Sequence, residues 1–212
     1  YRVFTWHPAR FPDPAGLVDR LHRQGFRVVT IVDPGVKAEP GYRVYEEGRL
    51  RDAFCRDRNG EEFRGREWPG TTVWPDFARA EVRRWWAQQH EAIFAAGVDG
   101  IWNDMNEPAN FLGGETTGTL ERTVVHGPDQ ERPPEQRRLA EHDEVHNVYG
   151  LLMSQAAFEA QLRLRPGRRP FVLTRSGFAG IQRYAAVWTG DNSSWWEHLA
   201  MSIPQLLNLG LS

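Results

Sequence analysis

The sequence predicts an α/β chain of about four parallel strands with helices between them and two long loop insertions, the layout of a partial (β/α)8 TIM barrel. Three observations lead there. Short β-branched runs alternate with longer stretches of helical periodicity. The strand-like runs end at Asp33, Asp104, Arg175 and Asp191, polar residues placed where barrels assemble a site from strand C-terminal ends. No Gly-x-Gly-x-x-Gly follows a strand, which weakens the alternative of an open, doubly wound dinucleotide-binding sheet.

Taken in order, Asp13-Pro14 opens a helix over 15–24, with Leu17, Val18 and Leu21 on one face and Gly25 closing it. Residues 26–32 are continuously apolar and β-branched, as expected of a strand covered on both faces, and stop at Asp33-Pro34-Gly35. Residues 36–75 show no clear period. A stretch of that length suits a functional excursion with small strands rather than plain loop. A helix is predicted over 76–96, a short strand over 98–102, and a second loop over 109–138 that includes Gly113-Gly114. Residues 141–164 form a long helix pattern, 170–174 and 185–188 two more strands, and 195–208 the start of another helix.

Composition narrows the function classes. Basic and acidic residues nearly balance, with a net charge of −2, so no single-sign field points to nucleic acid or a membrane surface. No apolar run has the length of a membrane span, and Tyr1-Arg2-Val3-Phe4 lacks a signal-peptide layout. Cys55 is the single cysteine, which excludes an internal disulfide framework and a Cys-based zinc site. It fits a reducing compartment, so a cytoplasmic location is expected. Cys55 itself sits in a polar loop with no nominated base and reads as inert. The nine tryptophans stand out because several lie beside Asp, Gly or Pro instead of inside apolar runs. Pyranose sites use that mixture: flat C–H faces stack on aromatic rings while hydroxyls take carboxylates and amides.

Asp104 follows a short apolar strand between Trp102 and Met105, where a carboxylate would be walled by aromatics at a barrel mouth. Such a group suits nucleophilic attack; the same position also suits a helix cap or an arginine partner. Asp191 follows another strand, within Trp188-Thr189-Gly190-Asp191-Asn192. Two acids from different strand ends can act on one glycosidic bond, and in a retaining enzyme they stand roughly 5–5.5 Å apart. Environment would divide their roles, with Asp191 holding its proton more tightly and Asp104 kept ionised by donors such as Arg175. Other candidates are weaker. His142 and His146 lie one helical turn apart but lack the Glu and third ligand of a zinc helix, and read as surface histidines. Ser176 has no Gly-x-Ser-x-Gly elbow, and the basic run 163–169 reads as a solvated helix end.

The run Gly100-Ile101-Trp102-Asn103-Asp104-Met105-Asn106-Glu107-Pro108 resembles the nucleophile signature of glycoside hydrolase family 31, the α-glucosidase family. The resemblance continues through Val32-Asp33-Pro34-Gly35-Val36-Lys37, Trp68-Pro69-Gly70, Trp74-Pro75-Asp76-Phe77, and His146-Asn147-Val148-Tyr149-Gly150. It closes on Thr174-Arg175-Ser176-Gly177, Arg183-Tyr184 and Trp188-Thr189-Gly190-Asp191-Asn192. It implies a retaining α-glycoside hydrolase acting on an oligosaccharide or α-glucoside, with Asp104 as nucleophile and Asp191 as acid/base. Arg175, Trp68, Trp102, Met105, Trp188 and Asp33 would bind substrate, and Glu107 would pair with a cation. No cofactor or metal is implied by two-carboxylate chemistry. A carbohydrate-binding barrel without catalysis, an α-xylosidase and an α-transglucosidase are the rival readings.

A whole barrel needs about 250 residues. Residues 1–212 are therefore expected to be a single segment of the catalytic barrel, incomplete at both ends. By the resemblance, an Asp-rich substrate segment would precede Tyr1 and a substrate-contacting His would follow Ser212. Unpaired strand edges would leave apolar surface exposed, so self-association through those edges and inactivity of the isolated chain are expected.

Overall fold

The structure, a computed structural model, describes residues 1–111 and 118–210. The elements in chain order are α1 (Pro14–Arg23), β1 (Val29–Val32), β2 (Val36–Lys37), α2 (Arg43–Leu50), β3 (Gly65–Glu67), β4 (Gly70–Val73), α3 (Ala80–Gln89), α4 (Glu91–Phe94), β5 (Gly100–Asn103), β6 (Val125–His126), β7 (Ala140–Glu141), α5 (His142–Leu164), β8 (Val172–Thr174), β9 (Ala186–Val187) and α6 (Trp196–Leu209). The main sheet is parallel, in the order β1-β5-β8-β9. These are the four expected strands, each followed by the expected kind of helix or loop.

Local chemistry explains the boundaries. The Asp13 side chain accepts from the Gly16 N–H and Pro14 starts α1. Glu141 and Glu144 form a reciprocal capping box at the start of α5. The helix predicted over 76–96 is two helices, broken at His90, because the buried His90 ring bonds to the Trp86 carbonyl one turn back. The core lies between one face of the sheet and α3 and α5, where Trp85, Trp86, Phe77, Tyr149 and Ile101 are fully enclosed.

The sheet's other face is uncovered, which corrects the expectation that residues 26–32 are buried on both sides. Ile31 is 52% exposed, and Phe26, Val29 and Phe171 are exposed beside it. Along α6, Trp196, Leu199, Ile203 and Leu207 are likewise exposed. Among the described residues no helix is long and apolar enough to cross a membrane.

The excursion over 36–75 holds more order than expected. β2, β4 and β3 form an antiparallel sheet, and α2 packs inward through Val44 and Tyr45. In the second excursion β6 pairs with β7, and the predicted loop residues Gly113 and Gly114 lie outside the described residues.

A buried polar chain joins both excursions to the helical layer. His126 Nδ1 lies 2.7 Å from Asp76 Oδ1, and His126 Nε2 lies 3.0 Å from His142 Nδ1. A carboxylate only accepts, so His126 donates to Asp76 and receives from His142. The other Asp76 oxygen accepts from the Gly127 N–H. His142 is thus fully buried, not a surface histidine; its partner lies outside its own helix, where helical spacing carries no signal. Cys55 is buried too, 3.8 Å from His126 Nδ1, and burial pushes its thiol well above the ordinary range.

Replacing His126 with Ala would take from Asp76 its side-chain donor and leave His142 Nδ1 unpaired, and is expected to cost about 2–4 kcal/mol, read as a lower urea midpoint. Burial also pulls His142 down to about 3. The unfolded imidazole protonates near pH 6.5 while the folded one stays neutral, so its contribution is complete above pH 6.5 and is lost as pH falls toward 3. The drop in thermal midpoint between pH 7 and pH 5 is therefore expected to be smaller in His142→Gln than in the parent.

Candidate active site

Strand register builds the site. Val32, Asn103, Thr174 and Val187 stand level across the sheet. The next residue of each chain segment is Asp33, Asp104, Arg175 and Trp188. Strand side chains alternate, so this row belongs to the same, uncovered face as Ile31, Trp102, Leu173 and Ala186. Side chains of the opposite parity turn toward the helices, where Asn103 Nδ2 donates to Ser154 on α5 at 3.3 Å. α5 approaches closely because Gly150 lacks a side chain: a Cβ there would lie 2.8 Å from the Ser176 carbonyl oxygen. Asn106 then ties the β5 and β8 loops together, donating to Thr174 Oγ1 at 2.9 Å and accepting from the Ser176 N–H at 3.0 Å.

Arg175 is the hub. It holds Glu107 through two bonds, Nε to Oε1 at 2.7 Å and Nη2 to Oε2 at 2.9 Å, the planar fork that guanidinium and carboxylate share. Glu107 thus pairs with a cation, as expected. Arg175 Nη1 stands 3.2 Å from Asp104 Oδ1 and 3.4 Å from Asp191 Oδ2. Both acids touch one nitrogen, so their oxygens are no farther apart than two such contacts, a bound that accommodates the roughly 5–5.5 Å of a retaining pair. Arg175 Nη2 also meets the Met105 sulfur at 3.0 Å, and Met105 is placed by a left-handed backbone turn with φ 54°.

The two acids sit in different environments. Asp104 is the more enclosed acid. Burial pushes its carboxyl above the ordinary range, opposed by the Met105 N–H and the Arg175 charge and reinforced by Glu107 and Asp191. The Asp191 side chain is 90% exposed because nothing covers the Gly190–Asp191 turn. Asp33 is pushed to about 6, first by burial and then by the Asp104 charge, with Arg175 pulling the other way.

Aromatic walls flank the acids. Trp102 and Trp188 meet edge to face with centroids 5.2 Å apart, and the Trp102 indole N–H is buried without a partner. A substrate hydroxyl would satisfy that donor. Trp68 meets Phe111 edge to face at 4.8 Å, and Phe111 packs in a small buried cluster with Met105 and Ala109, so Trp68 reaches the same wall through Phe111. Phe111 was not anticipated because it lies beyond the signature, in a run without period. Glu67, buried beside Asp33, was also missed; its one sequence signal is a charge adjoining Trp68 in a strand.

Cys55, Asp76 and His126 carry atoms within 4.8 Å of one another, the one cluster of metal-ligating types found among the described residues. It does not suit a tetrahedral ion. Ligands about 2.0–2.1 Å from zinc stand about 3.3 Å apart, whereas the Asp76–His126 contact is 2.7 Å and both Asp76 oxygens already accept from N–H groups.

Known proteins resemble this chain over its whole length. The family model described as "Glycosyl hydrolases family 31 TIM-barrel domain" matches residues 1–212. Alpha-glucosidase 2 of Bacillus thermoamyloliquefaciens is 49% identical over 212 residues, all of this chain and 26% of the relative. A crystal structure of the glucosidase II alpha subunit bound to Glc1Man2 superposes with a TM-score of 0.81 at 37% identity, covering 99% of this chain and 22% of that one. The family 31 alpha-glucosidase of Bacteroides thetaiotaomicron superposes with a TM-score of 0.74 at 42% identity, covering 100% of this chain and 32% of that one. The chain thus spans about a fifth to a third of the length of these relatives.

Proposed function

Because the chain belongs to glycosyl hydrolase family 31, we propose that it supplies both acids of a retaining α-glucosidase at its natural length. The observation that carries this reading is the single Arg175 nitrogen shared by Asp104 and Asp191, which arrive from the ends of different strands. In the first step an Asp104 oxygen bonds to the anomeric carbon as the glycosidic C–O bond breaks, and Asp191 gives its proton to the departing oxygen. In the second step Asp191 takes a proton from water, the water oxygen bonds to the anomeric carbon, and Asp104 leaves. Arg175 holds both acids near the reacting carbon, and Trp102, Trp188, Met105 and Trp68 wall the glycone. A terminal α-glucosyl residue is the proposed substrate, in keeping with the Glc1Man2 held by the similar glucosidase II subunit.

The test is hydrolysis of an aryl α-glucoside by the protein at its natural length, with proton NMR of the first-formed sugar. The α-anomer is expected to appear first. Initial β-anomer would sink the retaining mechanism, and no hydrolysis would favour a binding-only barrel.

The 212-residue chain by itself is proposed to be inactive and to associate, since β1 and β9 are open edges and one sheet face is uncovered. Sedimentation over a hundredfold concentration range is expected to show mass rising with concentration. A constant monomer mass would contradict this.

A further inference from the structure

The buried carboxyl of Glu67 has no role in the chemistry above. Glu67 ends β3 and is 2% exposed, and both its carboxyl oxygens are enclosed without a hydrogen-bond partner. The turn after β1 makes room for it: a Cβ on Gly35 would lie 1.6 Å from Glu67 Oε2, so the carboxyl rests against the Gly35 backbone. Two residues earlier, Asp33 Oδ1 is enclosed and partnerless as well. Three orphaned carboxyl oxygens flank the one Asp33–Gly35 turn, and two buried carboxylates there cannot both be anionic acceptors, since buried charge needs a partner and there is no donor among them. A proton on Glu67 resolves this, because a protonated carboxyl donates and an ionised one accepts.

We infer that Glu67 and Asp33 form an acid pair sharing one proton at neutral pH, with Glu67 a positioning residue that donates to Asp33 and orients it toward the sugar. Burial first, and then the Asp33 charge, pushes the Glu67 carboxyl well above the ordinary range. Asp33 is the lower member of the pair, since it sits at about 6. The charged groups facing the pair are Asp104 and Glu107 from the loop after β5, and Arg175 from the end of β8. Those three facing groups are already linked to one another by the Arg175 fork and ion pair, which leaves the pair's proton with Glu67. The effect on substrate rests on the function proposed above; the shared proton does not.

Two measurements on the protein at its natural length test this. Infrared spectra at neutral pH are expected to show the C=O stretch of a protonated carboxylic acid, and the band is expected to vanish in Glu67→Gln. A band unchanged by that substitution, or a stoichiometric cation found by elemental analysis and displacing the proton, would overturn the pair. On an aryl α-glucoside, Glu67→Leu is expected to raise KM about tenfold with little change in kcat, and Glu67→Gln to recover most of that loss because its amide still donates. KM of the parent is also expected to rise at alkaline pH, as loss of the pair's proton leaves two adjacent anions, while KM of Glu67→Gln stays flat there. Equal KM loss in both variants, or the same alkaline rise in Glu67→Gln, would refute a positioning role. Absence of all hydrolysis in the parent would refute the proposed function while the infrared result still judges the pair.

Discussion

Asp104→Asn is expected to lower kcat/KM of the natural-length protein on an aryl α-glucoside by about 10⁴-fold or more, the scale at which an interdependent catalytic set loses one member. The amide is nearly isosteric and can still sit beside Arg175, so folding and binding should survive. What disappears is the anionic carboxylate; the neutral amide oxygen that replaces it is too weak a nucleophile to bond to the anomeric carbon. Asp104→Gly with added azide should therefore regain part of the activity and release the β-glycosyl azide, since the small anion attacks from the face the carboxylate vacated. Unchanged activity in Asp104→Asn, or an α-azide product, would remove Asp104 from the nucleophile's role.

Arg175→Ala is expected to damage stability and chemistry together. Its guanidinium holds Glu107 in two hydrogen bonds and contacts both Asp104 and Asp191. Without it Glu107 and Asp104 repel each other in a half-enclosed site, and a loss of about 2–3 kcal/mol follows once solvent screening of the more open Glu107 is allowed for. The pH profile gives the sharper readout. Arg175 pulls the raised Asp104 carboxyl back down, so removing it lifts Asp104 further above the ordinary carboxylate range. A nucleophile must be ionised, and its protonation on the way to low pH sets the acid limb. The acid limb of kcat/KM should therefore move to higher pH in Arg175→Ala. A limb that stayed in place would mean that Asp104 does not feel Arg175.

Local signals in the sequence revealed the framework. Short apolar runs marked β1, β5, β8 and β9, long stretches of helix-forming residues marked α3 and α5, and the acids and arginine fell at strand ends because parallel strands expose those ends at one rim. What escaped depends on contacts between distant segments. α2 is only eight residues long with Glu46, Glu47 and Gly48 at its centre, too short a run to stand out, and its Val44 and Tyr45 meet the core. His142 looks like a surface residue at its helical spacing and is buried because His126 arrives from another loop. Glu67 looks like any strand charge until Gly35 closes over it. The difference in enclosure between the two acids was not legible, because it depends on how much of the barrel mouth is covered, which motif spacing does not encode.

The Asp76–His126–His142 chain fastens the first excursion where it ends and grips the second on either side of residues 127–141. Chain ends held that firmly leave the intervening loop free to change length at small entropic cost, about 0.6 kcal/mol for each doubling. Insertions and deletions at the tips would thus leave the address of Trp68 and the acids intact. A barrel tethered in this way can vary its outer loops while the proposed bond-breaking centre stays fixed.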